Sequence, residues 1–94
     1  MQTPKEHFFF IGIAGTGMSA LAQYMHGSGV SVSGSDRFFK AGEYNETRAK
    51  LEALGIPCFE QDGSGVHAGI TRVIVSTAIE DTVPEVRRTK ELGI

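Results

Sequence analysis

The chain has one cysteine, no excess of basic residues and no long apolar run, and each shortage removes a class of protein. Cys58 alone excludes an internal disulfide, and no second cysteine stands at metal-ligand spacing. Flanked by Pro57 and Phe59, it reads as a buried, inert thiol. Nine Lys and Arg against eleven Asp and Glu leave a net charge of −2, with the cations scattered. Nucleic-acid binding needs a basic stripe, so no such partner is expected. No apolar run approaches the ~18 residues of a membrane-spanning helix, and no membrane partner is expected either. Lys5 before an apolar stretch has the outline of a secretory signal, but Gly12, Gly15 and Gly17 interrupt it with strand-favouring residues around them. The expected location is therefore cytoplasmic. At 94 residues the chain is one domain or a piece of one.

What is present begins with Phe8-Phe9-Phe10-Ile11, an apolar run that reads as a strand buried on both faces. It is expected from about His7 to Ile13. Met18, Leu21, Ala22 and Met25 then fall at helical spacing, which predicts a helix from about Gly17 to His26, stopped by Gly27-Ser28-Gly29. Val30-Ser31-Val32-Ser33 is a second strand closing at Gly34-Ser35-Asp36, its alternation suggesting one less buried face. A second helix is predicted from about Asn45, a plausible cap, to Leu54. A short strand near Ile56 to Phe59 follows, then a polar loop over 60–69. Arg72-Val73-Ile74-Val75 predicts a buried fourth strand. Thr82 and Glu85 have capping-box spacing with Pro84 in the first turn, so a third helix runs to Leu92.

This order predicts an α/β fold: a Rossmann-like, doubly wound parallel sheet with strand order 3-2-1-4. The chain ends where a fifth strand is expected, so residues 1–94 read as the N-terminal domain of a longer protein.

In such sheets ligands bind beyond the carboxyl ends of the strands where the winding reverses, here between strands one and four. Ala14, Gly15, Thr16, Gly17, Met18 and Ser19 leave strand one, delivering amides at a helix N-terminus to a phosphate or diphosphate. The glycines give G-x-x-G-x-G, not the dinucleotide pattern G-x-G-x-x-G, whose second glycine falls on Ala14. No lysine stands in the loop, so it is not a nucleoside-triphosphate P-loop. An NAD module or a loop serving only strand–helix packing stays open.

Asp36 stands where a carboxylate accepts hydrogen bonds from ribose hydroxyls, or simply ends a strand. Ser35 is either a turn residue or a second polar contact. Ser76 and Thr77 offer donors from the loop after strand four, or are plain loop residues. His7, His26 and His67 lack catalytic partners, and no nucleophile–base pair can be assembled by position. Phe38-Phe39 reads as packing in preference to folding over a base.

Phe10 to Ser19, Val32-Ser33-Gly34-Ser35-Asp36, and Ile74-Val75-Ser76-Thr77-Ala78-Ile79 with Pro84-Glu85 together resemble the N-terminal domain of Mur ligases, over about His7 to Ile94. The resemblance implies binding of UDP-N-acetylmuramate for a ligase that adds L-alanine, or recycles a peptide onto the same acceptor, in peptidoglycan precursor synthesis. It implies ATP and magnesium in the complete enzyme but no cofactor in these residues, and central and C-terminal domains of the same chain as partners. It places Gly15, Thr16, Gly17 and Met18 amides on the diphosphate, Ser35 and Asp36 on the uridine side, and Ser76, Thr77, Ala78 and Ile79 on the other wall. No catalytic or metal-binding residue is implied here. Two departures stand out: Ala14 where relatives often have glycine, and Gln61-Asp62 where many carry Gly-His.

Overall fold

A computed structural model describes residues 6–75 and 84–93. Its elements are β1 (His7–Ile11), α1 (Thr16–Gly27), β2 (Ser31–Asp36), α2 (Glu46–Ala53), β3 (Cys58–Glu60), β4 (Arg72–Val75) and α3 (Pro84–Leu92). The four strands form one parallel sheet in the order β3-β2-β1-β4, as the winding predicts.

β1 is the centre of the molecule, and its residues alternate between two cores. Phe8 and Phe10 meet Ile13, Ala22, Val32, Phe39, Leu51 and Ile56 on one face. Phe9 and Ile11 meet Val66 and Ile70 on the other, with Phe59, Val73, Val86 and Leu92 packed alongside. Phe9, Phe10 and Ile11 are completely enclosed. Burying each such side chain contributes roughly 1.5–3 kcal/mol, so this run dominates the core.

Helix α2 is capped as predicted, the Arg48 amide donating to Asn45 Oδ1 at 2.9 Å. Its Leu51 turns inward, while Glu46–Lys50 and Arg48–Glu52 ion pairs lie on its outer surface. Phe39 packs under α2, whereas Phe38 stays exposed beneath the Arg37 guanidinium, 4.9 Å from the ring centre.

Three expectations are corrected. β1 ends at Ile11 rather than Ile13, because the Gly12 and Ile13 amides turn aside to the Ser35 carbonyl, at 2.8 and 3.0 Å. The serine face of β2 is open only at Ser31, since Ser33 and Ser35 are 1% and 0% exposed. The connection between β3 and β4 lies over that side of the sheet through Val66 and Ile70, with Phe59 of β3 packed alongside. β4, read as buried, has a half-exposed centre and exposed ends. It is the outer strand among the described residues, so one edge lacks a neighbour to cover it.

Candidate functional site

The turn from β1 into α1 sits at the carboxyl end of the sheet, where the winding reverses between β1 and β4. Its backbone hydrogen bonds divide it into an anchored half and an open half. Gly12, Ile13 and Ala14 donate to β2, the last to Asp36 Oδ2 at 2.9 Å. Gly15 donates back to the Gly12 carbonyl at 3.1 Å. The next three amides, Thr16, Gly17 and Met18, have no hydrogen-bond acceptor among the described residues. The Gly15 amide is therefore engaged in the turn, and the open donors start one residue later than expected.

Helix α1 has no side-chain cap and no acidic residue in its first turn. Most helices place a Ser, Thr, Asp or Asn oxygen there, or an acid against the dipole. Here the positive end, equivalent to roughly half an elementary charge, faces solvent through exposed Gly15, Thr16 and Gly17.

The glycines of this region have different physical reasons. Gly12 has φ of 86°, a conformation side chains rarely adopt. Gly34 lies inside β2 directly under Ile13: a Cβ there would stand 2.6 Å from Ile13 Cδ1 and 2.7 Å from the Phe10 carbonyl oxygen. Gly15 and Gly17 answer to neither demand. Among the described residues an added Cβ at Gly17 meets nothing within 4 Å, and one at Gly15 makes only ordinary contacts. No strand–helix packing among the described residues needs their bare Cα atoms.

Asp36 is 5% exposed, and both its oxygens accept main-chain donors: Oδ2 from Ala14, Oδ1 from Phe38 at 3.0 Å. Ser35 is enclosed, and its carbonyl anchors Gly12 and Ile13. Sequence reasoning placed these residues beside the loop but missed that they hold it, and it missed Gly34 as the seat of Ile13. A glycine inside a strand pattern was the available signal of close approach. Ala14 and Met18 are packed against the α1-side core, and Ser19 accepts from Gln23 Nε2 at 3.1 Å. The expected opposite wall, Ser76, Thr77, Ala78 and Ile79, lies outside the described residues, as does the Thr82 cap of α3.

Chemistry elsewhere is subdued. Burial pushes the Cys58 thiol up to about 12, with Glu52 adding to the effect, which agrees with an inert sulfur. His7 Nε2 lies 2.7 Å from Ser33 Oγ, with the His67 ring edge-on at 5.4 Å. Burial, and secondarily His67, hold the His7 imidazole below its usual value. At the Gln61-Asp62 departure, the Ser64 hydroxyl and amide hold the exposed Asp62 carboxyl below the usual carboxylate range. Among the described residues no group of three or more His, Cys, Asp or Glu side chains could hold a metal ion. No described helix is long and apolar enough to cross a membrane.

A parallel sheet of order β3-β2-β1-β4 with helices between its strands defines a Rossmann-like α/β class of fold. Comparison with known proteins narrows it: residues 7–94 match the Mur ligase family, catalytic domain, and the chain belongs to that family. It is 38% identical over 87 residues to the UDP-N-acetylmuramate–L-alanine ligase of Levilactobacillus brevis, covering 93% of this chain and 18% of that one. The ligase of the same name from Lacticaseibacillus casei is 41% identical over 87 residues, covering 93% and 19%. Among solved structures, the UDP-N-acetylmuramate–alanine ligase of Thermotoga maritima superposes with a TM-score of 0.74 at 33% identity, covering 90% of this chain and 19% of the other. A murein peptide ligase from Psychrobacter arcticus gives 0.77 at 26% identity, covering 95% and 18%. The chain thus spans under a fifth of the length of the curated relatives it matches.

Proposed function

We propose that this chain is the domain that holds UDP-N-acetylmuramate in a cytoplasmic, ATP-dependent ligase adding L-alanine during peptidoglycan precursor synthesis. One observation carries the reading. Among the described residues, Thr16, Gly17 and Met18 present open amides at an uncapped helix terminus, beside two glycines that neither packing nor backbone conformation requires. An anion supplies what that terminus lacks, and a diphosphate spans several donors at once. The relatedness to UDP-N-acetylmuramate–L-alanine ligases supports the uridine ligand and the amide-forming step.

In this reading the diphosphate lies over Ala14 to Ser19, with the ends of β2 (Ser35, Asp36) on the uridine side and Ser76 to Ile79 on the other wall. The domain works by positioning: fixed backbone dipoles hold the diphosphate so that the distant muramyl carboxylate is presented elsewhere in the protein. The described residues do not fit ATP and magnesium, since the loop carries no lysine and no metal cluster forms. Those groups, and the amino acid, belong to the central and C-terminal domains of a longer chain. A second reading, ligation of a recovered peptide to the same acceptor, is supported by the likeness to the murein peptide ligase.

The test is ligand-induced stabilisation of this chain. UDP-N-acetylmuramate at ~100 times its dissociation constant adds about 2.7 kcal/mol, and NADH adds nothing. Gly17→Val abolishes the uridine-ligand response in calorimetry while the unliganded melting temperature holds, because the new side chain enters open space. Binding retained by that variant places the diphosphate elsewhere.

A further inference from the structure

We infer that Asp36 is the positioning residue of the diphosphate site, setting through the Ala14 amide which backbone donors remain open; this rests on the reading of that loop as the site. Ribose recognition would need the carboxylate to face the ligand. Instead it is 5% exposed, and each oxygen already accepts a main-chain amide, from Ala14 at 2.9 Å and Phe38 at 3.0 Å. The two amides come from different loops, one leaving β1 and one leaving β2. Asp36 is therefore the clasp between them.

The consequence for the site is one of register. The Gly12, Ile13 and Ala14 amides are all anchored on Ser35 and Asp36, and Gly15 folds back onto Gly12. Only then do Thr16, Gly17 and Met18 come free. Releasing Ala14 loosens the last residue tied to β2 before that set, so the open amides lose their common direction. The clasp needs an acceptor at both ends. An asparagine supplies one acceptor oxygen and one NH2 donor, and the donor would oppose a backbone N–H. Aspartate alone among the short side chains offers two acceptors, and charge-assisted bonds of this kind are roughly twice as strong as neutral ones.

The experiment is a titration of the unchanged chain and of Asp36→Asn with UDP, 2′,3′-dideoxy-UDP and inorganic pyrophosphate. Positioning predicts that the variant loses affinity for all three by the same factor, about tenfold, as expected for one charge-assisted hydrogen bond. A loss confined to UDP, the probe with ribose hydroxyls, makes Asp36 a direct ribose contact and overturns the inference while leaving the site in place. Unchanged affinity for every probe also overturns it. Failure of the unchanged chain to bind any of the three removes the loop reading itself, which is a separate result.

Amide spectra of the variant show Thr16, Gly17 and Met18 displaced while α2 keeps its resonances. Should Asp36→Asn not fold, the unchanged chain still decides. A scalar coupling across the hydrogen bond from the Ala14 nitrogen to the Asp36 carboxyl carbon, with slower exchange at Ala14 than at Gly17, is the expected result. No coupling and equal exchange overturn the clasp.

Discussion

Strand β1 has a parallel neighbour on each side, and the two sides are built to different standards. Toward β2 the sheet is closed from Val32 onward: Val32 through Asp36 are buried, and the loop after β1 is tied to the end of β2. Toward β4 the structure is looser. Arg72 and Val75 are exposed, and a cleft of about 640 Å³ opens beside the strand, lined by Phe8, Ile11, Val73, Val86 and Lys90 among others. Both neighbours pair with β1 in unbroken register, so hydrogen bonding to β1 is not the difference. The difference is that β2 has β3 beyond it and cores on both faces, while β4 has no described strand beyond it. Among the described residues, the bonds that preorganise the amide loop come from the β2 side.

The sharpest way to break this contrast is Gly34→Ala. The new methyl meets a backbone oxygen as well as Ile13, so relief requires moving β1 or the loop, and the variant loses about 3 kcal/mol of stability. Urea denaturation measures it; a loss below about 1 kcal/mol means the β2 side is as yielding as the other. Val75→Ala is the counterpart on β4, where the side chain is 43% exposed. It costs only about 0.5–1 kcal/mol in the same assay. Equal losses at the two positions would erase the asymmetry.

The smallest effect is expected where the two sides meet, at His7. Its ring bonds Ser33 of β2, while its backbone carbonyl accepts the Thr71 amide, at 2.9 Å, just before β4. Burial and His67 lower the folded-state value below the usual 6.5, so folding favours the neutral ring. That contribution is complete above 6.5 and is lost as pH falls through the lowered folded value. Urea midpoints measured on both sides of that window decline toward acid, and His7→Gln flattens that part of the slope. A slope unchanged in the variant assigns the decline to other groups.

Much of this was legible because it is local. Phe8 to Ile11 carry the two-faced strand in their own alternation of contacts, and Asn45 declares a cap through its residue type. Gly27-Ser28-Gly29 declares a helix stop in the same way. Even Cys58 between Pro57 and Phe59 was readable as inert. The missed features join residues distant in sequence. Ser33 and Ser35 look like an open face until Val66 and Ile70 arrive over them. Asp36 shows no structural partner until Ala14, 22 residues earlier, turns its amide toward it.

By itself the sequence determined the order of elements, the parallel winding and the loop of amides at the switch point, since periodicity, glycine placement and capping act within a few residues. Only the tertiary structure decided which amides stay open, which serines are covered and which strand lies on the edge. Those outcomes depend on which groups meet across the sheet, and a polar atom's role is settled by the partner that reaches it first.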